Sequence, residues 1–242
     1  MNPRPGVSRR DFLAFGWFPF FRPKHISLAG ARFRIVRNGK SKRRYLRIHG
    51  NEETARLVLE RHMNTHDGVA YIIDNPIREV MAEGLKLDPN RMFSRVGAEA
   101  NLRSLNPTAT PGQIERALRT LDRDREKLLR ALTPPAGGLT IALHNNSSRY
   151  SVTSEVPISD KTSLRDPNHP HEFYLCTDPK DFEVIKTSPY NAVLQARAPK
   201  EDDGSLSRLA AARPFRYVNL EVSLGQSEKQ REMLNWLEWN LY

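Results

Sequence analysis

The stretch RIHGNEETARLVLE, Arg47 to Glu60, changes its hydrophobic rhythm halfway along. RYLRIH (44–49) reads as a strand that stops at His49, and Gly50-Asn51 supplies a turn. Beyond it Ala55, Leu59, His62, Met63 and His66 share one face at the helical period, with Glu52 in the first turn of that helix. A strand feeding directly into a helix is the step from which α/β chains are built. Glu52 has two readings at such a step. Its carboxylate suits the positive end of a helix dipole; three residues after an imidazole, it is also half of a metal site. The spacing alone does not choose, because His169 and Glu172 in HPHEF stand equally far apart.

The same alternation runs outward in both directions. RFRIVR (32–37) alternates like a half-exposed strand and reaches RYLRIH through an Asn38-Gly39 turn, while VAYIID (69–74) is apolar enough to be buried on both faces. A long helix is announced by Thr110-Pro111-Gly112-Gln113, a capping box with proline at the first helical position. Its stripe is Ile114, Ala117, Leu118, Leu121, Leu128 and Leu132, and TPPAGG ends it. Strands are expected at 139–144, 172–177, 191–195 and 216–222, with helices at 178–187 and 204–212. A last helix begins at Ser227, where Gln230 completes a second capping box and Met233, Leu234, Trp236 and Leu237 form the stripe. This pattern predicts an α/β/α sandwich in three layers around a mixed, largely parallel sheet. Neither an internal repeat nor a linker divides it, so residues 27–242 read as one domain.

The formal charge of +10 suggests a nucleic-acid partner until its distribution is considered. Residues 1–50 hold thirteen Lys and Arg against one acid, Asp11, which leaves 25 basic and 27 acidic groups in the other 192. A nucleic-acid groove spreads its basic groups over the folded surface; here the excess sits at one end, and nucleic acid is not expected as a partner. The lone Cys176 excludes an intramolecular disulfide.

Residues 1–26 read as a leader. Ser8-Arg9-Arg10-Asp11-Phe12-Leu13 resembles the twin-arginine export signal of bacteria, followed by a short apolar stretch to Phe21. That run is too short to span a bilayer but suits a signal sequence. The expectation is an exported or periplasmic protein that uses the twin-arginine machinery, with a cytoplasmic location as the alternative.

Active sites of such sheets lie at the carboxyl ends of the strands. His49, His144 and Glu221 fall there, and Glu52 joins them through its helix. His49, Glu52 and His144 make a two-histidine, one-carboxylate set of the kind that holds one catalytic zinc ion and leaves a fourth position for water. A carboxylate off the metal must then accept the water's proton, and Glu221 is placed for that. His169 and His171, flanking Pro170, read as a loop outside the site, and KEDDGS (200–205) as a solvated loop whose acids could meet a basic group on a substrate.

LDPNRMFSR adds a signature. Asp88-Pro89-Asn90-Arg91-Met92-Phe93 resembles the Asp-x-Asn-Arg-x-Phe element of the succinylglutamate desuccinylase and aspartoacylase family, within the zinc carboxypeptidase-like enzymes. The resemblance spans roughly 45–225. It implies the zinc carboxypeptidase-like fold, with His49 and Glu52, Asn90 and Arg91, His144 and Glu221 serving in that chain order. It also implies an upstream arginine that steadies the oxyanion, for which Arg78 in NPIREV is the choice. Arg91 and Asn90 then make a clamp for a substrate carboxylate, the guanidinium binding it through two bonds and the amide adding a directional donor. The implied activity is zinc-dependent hydrolysis of an amide in a small molecule or peptide end with a free carboxylate, by a deacylase of N-acyl amino acids or a carboxypeptidase. The competing expectation is an exported binding protein that has lost catalysis on the same fold.

Overall fold

The computed structural model describes residues 24–147, 150–197, 201–213 and 215–241. The export motif and its apolar run, Ser8 to Phe21, lie outside the described residues. Strands β1 (Lys24–Leu28), β2 (Ala31–Asn38) and β3 (Arg44–Arg47) lead into α1 (Glu53–His62) and β4 (Gly68–Ile73). A hairpin of β5 (Val80–Ala82) and β6 (Leu85–Leu87) precedes a 3-10 turn at Pro89–Arg91, then α2 (Arg95–Leu105) and α3 (Pro111–Leu132). The second half runs β7 (Thr140–Asn146), α4 (Val152–Glu155), β8 (Lys161–Ser163), β9 (Phe173–Cys176), α5 (Pro179–Ile185), β10 (Asn191–Leu194), α6 (Leu206–Ala212), β11 (Tyr217–Ser223) and α7 (Ser227–Asn240). Among the described residues no helix is long and apolar enough to cross a membrane. Lys24–Ile26, inside the segment read as a leader, begin β1.

Nine strands form one sheet in the order β1-β2-β4-β3-β7-β11-β9-β10-β8. The block β4-β3-β7-β11 is parallel, as is the β9–β10 pair. The β1–β2, β2–β4, β11–β9 and β10–β8 pairs are antiparallel. The sheet is therefore evenly mixed, where the sequence suggested a largely parallel one. Its parallel strands are the ones buried on both faces nearly throughout. The Asn38-Gly39 turn exists, with Gly39 at φ +52°, but the strands it joins are not partners. Lys40 N–H donates to Asp67 Oδ2 at the foot of β4, and β4 inserts between β2 and β3.

Side-chain alternation divides the core in two. Val69, Tyr71 and Ile73 of β4 pack with α2, α3 and α6, while Ala70 and Ile72 pack with α1, α5 and α7. The α3 capping box forms as the sequence predicts, and Ile114, Ala117, Leu118, Leu121, Leu128 and Leu132 are buried. At roughly 1.5–3 kcal/mol per large side chain, that stripe outweighs the intrinsic propensities of its charged residues. The second expected capping box does not form: α7 starts from Gln226 with no side-chain cap, and Gln230 is fully buried instead.

Candidate functional site

Four strand ends and one turn build the site. His144 and Glu221 are direct partners in the parallel β7–β11 register, so their side chains leave the sheet on the same face. His49 follows β3, the other neighbour of β7. The turn between His49 and Glu52 is held from beneath by Arg47, a buried guanidinium. It donates to Glu52 O at 3.1 Å, to Ile73 O at 3.2 Å and to Gly50 O.

Glu52 caps no helix amide. The amide of Ala55 donates instead to Asn145 Oδ1 at 2.8 Å, so β7 satisfies the first turn of α1 and the Glu52 carboxylate is turned elsewhere. Asn145 in turn donates to Gln230 Oε1 at 3.1 Å, and Gln230 donates to His144 O at 2.9 Å. The residue that fails to cap α7 thus ties α7 to the strand end carrying His144.

Glu52 Oε1 lies 2.7 Å from His49 Nδ1 and 3.3 Å from His144 Nδ1. His49 Nε2 meets Asp88 Oδ1 at 2.8 Å. Burial alone would lower the His49 pKa, but Glu52 and Asp88 on its two nitrogens carry it up to about 9. Burial likewise opposes the ionised Glu52, yet His144 and His49 bring it down to about 2. One donor atom from each of His49, Glu52 and His144 falls within 4.8 Å of the other two, and all three residues are buried. Among the described residues Glu52 Oε2 has no hydrogen-bond partner in its buried position. Two imidazoles, a carboxylate and an orphaned oxygen fit a metal ion, and the group can hold one.

Asp88 is the residue the sequence reading left without a role, although it opens the signature. Its carboxylate fixes His49, accepts from Asn90 N–H at 2.8 Å and meets Arg78 Nη2 at 2.9 Å. Burial works against that charge, but the His49 and Arg78 cations hold its pKa well below the usual range. Arg78 also approaches Glu52 Oε1 at 3.8 Å. Burial pushes the Glu221 carboxyl up to about 7; His144 opposes this and Glu52 adds to it. Asn219, two residues earlier on the same face of β11, donates to Glu221 Oε1 at 3.0 Å.

The clamp residues lie on the same cavity, of about 610 Å³. Asn90 Oδ1 accepts from Leu206 N–H at 3.2 Å, which leaves its amide hydrogens for other partners. Arg91 pairs with Asp203 at 3.1 Å. The acidic loop read as solvated therefore reaches the site: Gly204, at φ +78°, lies so close to Arg91 that a Cβ there would sit 2.3 Å from the Arg91 carbonyl oxygen. All seven residues singled out from the sequence (His49, Glu52, Arg78, Asn90, Arg91, His144 and Glu221) line this cavity. Tyr150, Glu155, Gln195, Arg208 and Asn219 line it too and carry no signal in the sequence. His169 and His171 do not line it; their Nδ1 atoms go to Asp166 Oδ2 and Tyr150 O, each at 2.7 Å. No family model, curated protein or solved structure matches the chain.

Proposed function

We propose that the protein is a zinc-dependent hydrolase, on a zinc carboxypeptidase-like fold, that cleaves an amide bond in a small molecule or peptide end bearing a free carboxylate. One observation carries the reading. Residues drawn from across 172 positions, 49 to 221, by the order of a family signature line a single cavity.

His49, Glu52 and His144 would hold the ion. When bound, zinc supplies polarisation of the scissile carbonyl and a water of near-neutral pKa. Glu221, buried and off the metal, takes the proton of the attacking water and passes it to the leaving nitrogen. Its elevated pKa suits both halves of that exchange, although an adjacent dication would draw it back down. Arg78, lining the cavity beside Glu52, would steady the negative charge that develops on the carbonyl oxygen. Arg91 and the free amide hydrogens of Asn90 hold the substrate carboxylate and so fix the amide against the water. Asp88 keeps His49 oriented, the usual task of a carboxylate behind a metal-binding imidazole.

A deacylase of N-acyl amino acids and a carboxypeptidase share this arrangement. The motif at Ser8–Leu13 supports export through the twin-arginine machinery, and the same site would serve a cytoplasmic deacylase. The near-neutral balance beyond residue 50 supports a small-molecule or peptide partner over nucleic acid. Glu221→Gln tests the chemistry. It should keep one zinc per chain by metal analysis and lose at least about 100-fold in turnover, because an amide cannot accept the proton. Full turnover by this variant would remove Glu221 from the mechanism.

A further inference from the structure

Beyond Glu221 the cavity continues toward the far half of the sheet, and its floor there consists of hydrogen-bond acceptors. Gln195, directly after β10, donates through Nε2 to Glu155 Oε2 at 2.5 Å. Glu155 Oε1 accepts from Tyr150 Oη–H at 2.7 Å. Asn219 spends its amide nitrogen on Glu221 Oε1. Each amide nitrogen faces a carboxylate, which fixes the orientation of both amides. Among the described residues Gln195 Oε1 and Asn219 Oδ1 are consequently left without partners, in residues 2% and 7% exposed. A buried acceptor without a donor keeps the full cost of its lost hydration. Two of them beside a carboxylate, on the wall of one cavity, lack a donor that the described residues do not supply.

The sheet order gives the floor its place. From β7, which carries His144, the sequence of strands is β11, β9, β10. Gln195 therefore lies two strand spacings from β11 on the side away from His49, Glu52 and His144, and the register sets it level with Tyr217, roughly 10 Å across the sheet and roughly 13 Å along it from Glu221. Leu175, paired with Asn219 in the β11–β9 register, joins Tyr150 and Ile158 as apolar wall along that path. On the opposite flank Arg78, Arg91 and Arg208 line the same cavity. Cations at one end, an aliphatic passage and acceptors at the other describe a ligand with a carboxylate, a methylene chain and a terminal donor.

Resting on the hydrolase reading for the bond that is cleaved, we infer that Glu155, Gln195 and Asn219 form a specificity pocket for a substrate ammonium at the end of an alkyl side chain, as in a diamino acid. An ammonium brings three donors and no acceptor. Each Glu155 oxygen retains a lone pair after its present bond, and the two amide oxygens are unused. A neutral methyl end would leave both amide oxygens unsatisfied.

Calorimetric titration of the purified protein with Nα-acetyl-L-lysine and Nα-acetyl-L-norleucine tests the pocket without relying on turnover. The lysine compound should bind at least tenfold more tightly, and Glu155→Gln should bring that ratio close to one while thermal melting confirms the fold. Equal affinities in the wild-type protein, or no binding of the lysine compound, would overturn the inference. Hydrolysis of the two compounds separates this claim from the one beneath it. Cleavage of both at equal efficiency retains the hydrolase and removes the pocket; a preference in binding with cleavage of neither retains the pocket and removes the amide hydrolase.

Discussion

Arg91 and Asp203 are both about a third or more exposed, and an ion pair so placed contributes at most about 1 kcal/mol. A substrate carboxylate accepting two bonds from the guanidinium can displace it. Asp203 is then a weak competitor for the clamp rather than a fixed support. Arg91→Ala should raise KM at least about tenfold on any carboxylate-bearing substrate, with a smaller fall in kcat. Asp203→Asn should lower KM by about two- to fivefold, the equivalent of the pair it removes. Michaelis constants that do not move in either variant would take the clamp out of the mechanism. Glu221 shows the opposite use of burial. Its desolvation has no cation in direct contact to offset it, and this separates it from Glu52 although both carboxylates share one pocket.

At the scale of elements, α1 joins the site to a pH-sensitive end. Glu52 and Ala55 tie its start to His49, His144 and β7, while its last residue, His62, is buried between Tyr45 and His66. Burial, with the charges of His66 and Arg43, lowers the His62 pKa to about 3, and Glu238, 3.7 Å from Nε2, makes no hydrogen bond to it. His62 is therefore neutral in the folded chain and titrates near 6.5 once unfolded. Its contribution is present above pH 6.5 and is lost as pH falls from there toward 3, reaching about 2 kcal/mol at pH 5. Urea unfolding of wild type and His62→Phe at pH 7.5 and pH 5 isolates it. The variant should gain on wild type by about that amount between the two values, and an unchanged difference would show that His62 is charged in the fold. This helix and α3 were legible in the sequence because a periodic stripe and a capping box are local features. Gln230 was misread for the same reason: its spacing from Ser227 fits a cap, but a buried bond to the carbonyl of His144 satisfies it instead. The β5–β6 hairpin is too short to show any period.

The whole molecule explains what else could be read and what could not. The strand ends that hold His49, His144 and Glu221 were visible because each closes an apolar run, and the signature supplied Asn90 and Arg91. Asp88 was visible as a letter of that signature but not as a partner of His49, since the two stand 39 residues apart in the chain and meet only in the fold. The floor of Glu155, Gln195 and Asn219 was not legible at all: it joins three segments whose proximity exists only once β9 and β10 are laid beside β11. The sheet order also keeps the acceptor-rich floor on the far side of Glu221 from His49, Glu52 and His144, so under the proposed function one cavity would present a reaction centre and a recognition end. That division has meaning only if the centre holds its metal. Stripping the purified protein with a chelator and titrating zinc back, while following hydrolysis of N-acyl amino acids, tests this most directly. Activity should be absent at the start, rise linearly and reach its plateau at one zinc per chain. Activity that survives complete removal of metal, or a chain that takes up no zinc, would contradict the account.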